Sequence, residues 1–199
     1  MSGADASCAA VPYTSPMSTR RFADSPWLRL AVVTAFAVAM AYLESAAVVY
    51  LRTIFHTAPG TLAPAPRDVW FAVPYFTLLK PGALAGVLPD ARIAYAEVAR
   101  EASTIVMLAC VGWLAGRTLK TRAAFFLYAF GVWDIGYYVF LYVLLGWPAS
   151  PNALDVLFLI PSPWVAPVFV PVTASVAMIL VAVLLIRSEE HHNPKVKVH

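Results

Sequence analysis

The chain has 199 residues, of which 61% are hydrophobic and 13% charged, and its mean hydropathy is +0.73. Soluble domains run at roughly 45–50% apolar and about 25% charged, so both departures point to lipid, and the length leaves no room for a separate soluble domain. The net charge of +3 does not signal nucleic acid, because the basic residues lie in tails and connections rather than on one face with interleaved aromatics.

Residues 1–25 are rich in Ser, Ala and Pro, lack helical periodicity, and read as a flexible cytoplasmic tail. Arg20 and Arg21 precede an apolar run, as in a signal peptide. That run is too long for a signal core, and no clean cleavage site precedes Glu44 and Arg52, so the expectation is a retained first helix. Four long apolar segments are predicted, at 27–51, 93–116, 123–146 and 164–187. Each reaches the ~20 residues needed to cross a hydrocarbon core of about 30 Å. Trp27, Trp147 and Trp164 fall at their ends, where interfacial aromatics belong. The expected organisation is therefore an all-α membrane protein, a four-helix transmembrane bundle over 26–187. A charged cytoplasmic tail follows over 188–199.

The first connection, 52–92, carries Pro59, Pro64, Pro66, Pro74, Pro81 and Pro89, which prevent a long helix. Within it VWFAVPYFTLL is apolar but too short to span. It is expected to lie along the outer interface or to fold back over the bundle as a lid. The second long connection repeats the character. ALDVLFLIP is apolar, and Pro161, Pro163, Pro167 and Pro171 follow. It reads as a short re-entrant or interfacial piece entering a kinked fourth helix. There, Pro167 and Pro171 would leave the carbonyls four residues earlier unpaired.

Basic residues set the orientation. Arg20, Arg21 and Arg29 precede or open the first helix, Arg117, Lys120 and Arg122 join the second to the third, and Arg187, Lys195 and Lys197 lie at the end. The connection 147–163 has no Lys or Arg. The positive-inside rule then places both termini in the cytoplasm and the two apolar, Pro-rich loops outside, with the chain integral to the cell (inner) membrane. The longer first loop holds Arg52, Arg67, Lys80 and Arg92, and long loops count for less.

Three acids fall inside the apolar segments: Glu44, Glu101 and Asp134. A carboxylate at that depth costs roughly 2.5–3.5 kcal/mol and normally faces a partner, water or a ligand. With the helices alternating in direction, these acids reach similar depth in the outer half, and Glu97 sits slightly above. Glu97, Arg100, Glu101 and Thr104 share one broad helix face. Asp134 has Tyr137 and Tyr138 at the following turn, whose hydroxyls can donate to a carboxylate or a ligand. The candidate site for a cation or small ligand is therefore Glu44, Glu97, Arg100, Glu101, Asp134, Tyr137 and Tyr138. The plainer reading is structural: Arg100 and Arg52 pair with the acids and fix helix packing, Glu97 is solvated near the interface, and the two tyrosines simply pack.

A metal cation as cofactor fits only an all-oxygen or His-assisted site. Its candidates are Glu44, Glu101 and Asp134, with His56 added for iron or manganese. Asp155 is a further candidate, though it reads more simply as a solvated loop acid or helix cap. Cys8 and Cys110 match neither a disulfide nor a metal motif.

The run VWDIGYYVFLYVLLGWP followed by LDVLFLIPSPWVAP resembles a group of small bacterial membrane proteins of unassigned function. The resemblance implies a shared four-helix architecture and carries no activity. No nucleotide-binding, zinc-protease or serine-hydrolase motif is present. Three functions fit these features. One is a cation or ligand site serving transport or membrane-embedded catalysis. Another is an accessory subunit of a larger membrane complex. The last is a small homo-oligomeric transporter. The bilayer itself is the one partner common to all three.

Overall fold

The computed structural model describes residues 25–55, 65–83 and 90–192. Four helices dominate: α1 (Pro26–Phe55), α2 (Ala91–Ala115), α3 (Leu119–Leu145) and α4 (Phe169–His192). All four are long and apolar enough to cross a membrane. The expected tail 1–25 and the end of the chain from 193 fall almost wholly outside the described residues, as does His56.

Local signals fix the helix starts. Asp90 caps α2 by accepting the Arg92 amide at 2.8 Å. Thr118 and Thr121 form a reciprocal capping box at the start of α3. The fourth helix begins later than its hydropathy predicts. Trp164–Pro167 is a strand, so Pro167 precedes α4 and Pro171 falls in its first turn, where a missing N–H leaves no intrahelical bond unmade. The expected kink with free carbonyls does not follow. The Pro163 carbonyl, four residues before Pro167, accepts the Leu79 amide at 2.9 Å.

α3 is the hub, with α1, α2 and α4 all packed along it, while α1 and α2 meet only briefly. Lipid supplies no hydrophobic drive between helices, so close approach of small residues does the work. Gly136 faces Ala41 of α1, where an added Cβ would stand 2.9 Å from the alanine methyl. Gly131 faces α4, where a Cβ would stand 2.7 Å from the Ser175 carbonyl. Ser45 of α1 donates to the Tyr137 carbonyl at 3.0 Å, adding an interhelical hydrogen bond. The main core joins Val33, Ala37 and Met40 of α1, Leu108 of α2, Phe125 and Trp133 of α3, and Ile186 of α4.

The two apolar loops do not remain irregular. They combine into a four-stranded antiparallel sheet at one end of the bundle, in the order β1 (Val69–Val73), β2 (Phe76–Leu79), β4 (Trp164–Pro167), β3 (Leu154–Phe158). Both segments are rich in β-branched and aromatic residues. Pro74 and Tyr75 turn the first hairpin, and Tyr75 takes φ +65°, the left-handed value a type II turn requires at that place. The Tyr75 ring rests on Phe169 at 5.3 Å, which ties the turn to the start of α4. β3 and the residues after it seal the sheet to the helices. Phe158 joins the main core, and Leu159 is buried with Ala94 against Phe55, Ile93 and Val98. β1 is the exposed edge. The first loop is thus joined to the second as one folded cap.

Candidate functional site

Beneath the cap the acids resolve into three local networks. The first centres on Arg100. Its Nε and Nη2 donate to Glu97 Oε2 at 2.9 and 2.6 Å, and its Nη1 donates to Glu44 Oε1. Thr104 Oγ1 adds a bond to the second oxygen of Glu44 at 3.3 Å. One guanidinium therefore holds two carboxylates from two helices, leaving an excess negative charge. Glu97 was expected to be solvated; it is buried to the same degree as Glu101, because Arg100 folds back over it.

The second network joins bundle to cap. Glu101, one turn beyond Glu97, accepts the Leu159 amide at 2.8 Å. This bond satisfies a backbone donor at the end of the sheet, where the strand ladder has stopped. Arg100 is not its ion-pair partner, although Arg100, Glu44 and Glu97 all lie within electrostatic reach.

The third network lies on the far side of α3. Asp134 accepts the Ser175 hydroxyl of α4 at 2.8 Å. Close packing at Gly131 makes that contact possible, since it brings the α4 backbone against α3 one turn earlier. One turn nearer the cap, Tyr138 donates to Asp155 Oδ2 at 3.1 Å. Burial pushes the Asp155 carboxyl up to about 6, against the Tyr138 hydrogen bond and the attraction of Arg52, both of which favour the ion. Arg52 itself lies over the Trp147 ring at 4.5 Å, and its Nη1 is buried without a hydrogen bond.

Tyr137 links the networks. Its ring stands at 5.0 Å from that of Tyr138, and its hydroxyl lies within electrostatic reach of Asp155, Glu44, Arg52 and Arg100. Glu44, Glu97, Arg100, Glu101, Asp134, Tyr137 and Tyr138 thus lie in one polar layer under the sheet, and all four acids are buried. At ~1.5 Å rise per residue, Glu44, Glu101 and Asp134 each lie about 15–17 Å from the cap end of their helix.

Within the layer the acids keep separate partners. Among the described residues, no three or more His, Cys, Asp or Glu side chains gather closely enough to hold a metal ion. The metal candidates Glu44, Glu101 and Asp134 bond different partners, Arg100, the Leu159 amide and Ser175, and His56 lies outside the described residues.

Sequence reasoning undervalued Asp155, read as a solvated loop acid. Its strand position on the inward side of β3 buries it, and no local pattern in LDVLF announces that. Ser175 was missed altogether. A lone hydroxyl in an apolar helix was the only signal, and its importance depends on a partner 41 residues away. No family model, no curated protein and no solved structure matches this chain.

Proposed function

We propose that this is an integral membrane protein whose polar layer, in the outer half of the bundle and beneath the loop sheet, binds a cation or a small cationic ligand. Such a site would serve transport or chemistry within the membrane. One observation carries the reading. Glu101 and Asp134 are buried carboxylates that receive only neutral donors and form no ion pair among the described residues. Each charge costs roughly 2.5–3.5 kcal/mol at such depth, and a bound cation offsets that cost. Arg100 forms its ion pairs with Glu44 and Glu97 and none with either of these acids. The positive-inside bias supports the cell (inner) membrane, both termini in the cytoplasm, and the capped layer toward the exterior.

The Arg100 pairing favours a second reading for Glu44 and Glu97 alone: structural glue in an accessory subunit of a larger membrane complex. Both readings meet in one experiment. The protein is purified in mild detergent, and its thermal stability is titrated with alkali, alkaline-earth and manganous ions and simple organic ammonium ions. The cation site requires a saturable rise with at least one of them, lost in Glu101→Gln and in Asp134→Asn. If no cation moves the wild type and both variants match it, the cation site is wrong. The accessory reading then stands, and co-purifying membrane proteins should be identified.

A further inference from the structure

A second feature lies at the opposite end of the bundle, independent of the capped layer. α1 and α4 both pack along α3 but scarcely touch each other. Near the start of α1 and the end of α4 this leaves a cleft of about 400 Å³. Its walls are apolar, with Leu30 and Ala31 on one side and Val183 and Ile186 on the other. On its floor Tyr128 of α3 meets Thr34 at 2.9 Å. The Thr34 hydroxyl donates to the Leu30 carbonyl at 2.8 Å, so the Tyr128 hydroxyl supplies the proton of that contact and its own polarity is satisfied. Nothing on the floor therefore calls for water.

The mouth has a different character. The Arg187 guanidinium stands over the Trp27 ring at 5.9 Å, and Arg187 forms no ion pair with an acid among the described residues. A ring beneath a guanidinium fixes its plane and leaves its N–H edges open. Trp27 is largely exposed at the first turn of a spanning helix, the depth at which aromatics meet headgroups. Lys120 nearby is already engaged with Ser188 and Glu189.

We infer that this cleft is a binding site for one anionic phospholipid, an acyl chain lying on Leu30, Ala31 and Val183 and the phosphate on Arg187. Size and polarity support that occupant. The volume falls in the range of ligand pockets, roughly 300–1,000 Å³. An apolar cleft open to hydrocarbon fills with a chain, and a basic residue between helix ends at the membrane surface selects an anionic headgroup.

The test uses the full chain, stripped of lipid in detergent and then offered phosphatidylglycerol or phosphatidylcholine of identical chains. Bound lipid is counted by native mass spectrometry. Wild type should retain one phosphatidylglycerol, favoured over phosphatidylcholine about fivefold, the value of one basic side chain at an anionic headgroup. Arg187→Gln should bind either lipid and lose the preference. Ala31→Trp, which fills the cleft from its open side, should bind neither, while Lys120→Gln should behave as wild type. Equal retention of both lipids by the wild type, or an unchanged preference in Arg187→Gln or Ala31→Trp, overturns the assignment. So does displacement of phosphatidylglycerol by inorganic phosphate alone, which would mean a headgroup contact without a chain site. A preference that emerges only after residues 1–24 are deleted also overturns it, since the chain's own N-terminal segment would then be the occupant.

Discussion

Replacing Arg100 by Met probes the centre of the polar layer most directly. The guanidinium makes three hydrogen bonds to two buried carboxylates, two to Glu97 and one to Glu44. Methionine keeps most of the stem's volume and removes all three. Two acids from α1 and α2 are then left facing each other in a poorly solvated place. Breaking a buried ion pair from one side costs about 3–5 kcal/mol, mostly the desolvation of the charge left behind. For a protein of this size each kcal/mol shifts the melting temperature by roughly 2–4 °C, so Arg100→Met should melt about 6–20 °C below wild type. Replacing Glu44 and Glu97 by Gln in the same chain removes the orphaned charges and should restore more than half of that loss. Melting of wild type, single and triple variants in one detergent reads the outcome. A fall of less than about 2 °C in the single variant, or a triple variant no better than the single, refutes the bridging role. Arg100→Met should not rescue Glu101→Gln, because Arg100 is not the partner of Glu101.

Three further outcomes follow from the same geometry. Gly131→Ala sets a methyl 2.7 Å from the Ser175 carbonyl, so α4 must shift and the Asp134–Ser175 bond must lengthen. Overpacking of this kind costs about 1–3 kcal/mol, and a variant as stable as wild type in the same melt would show that α4 is not seated so closely. Asp155 gives a pH dependence of definite sign. Its folded value of about 6 lies above the ordinary 3.8, so the folded state binds the proton more tightly. Stability should therefore fall as pH rises from about 4 to about 6, by roughly 3 kcal/mol in total, and remain at the lower level above. Asp155→Asn should flatten that slope and melt higher than wild type at pH 7.5; an unchanged slope would place the titration elsewhere. Topology is checked by reporter fusions. Those after Lys120 and at the C-terminus should report cytoplasm and one at Asn152 the exterior, as the charge bias of the connections requires. A cytoplasmic signal at Asn152 would invert the layer's orientation.

The sequence by itself determined four helices long and apolar enough to cross a membrane and how far along its helix each acid sits. Hydrocarbon thickness sets the length of an apolar run, and rise per residue converts position into depth, so neither needs a partner. It also determined the shared face of Glu97, Arg100 and Glu101, which is a property of one helix. What each acid touches was decided only by tertiary structure. Arg100 meets Glu44 across 56 residues, Glu101 meets Leu159 across 58, and Asp134 meets Ser175 across 41. Helical periodicity carries no information at those separations. Within α2, helical spacing sets Arg100 beside Glu97 rather than Glu101, but it gives no hint of Glu44. The sheet was hidden for the same reason. Each loop pairs its own strands, β1 with β2 and β3 with β4, and the single four-stranded sheet exists because β2 finds β4 from the other loop. The β3–β4 register turns Asp155 inward, and the residue after β3 gives Glu101 a backbone amide to hold.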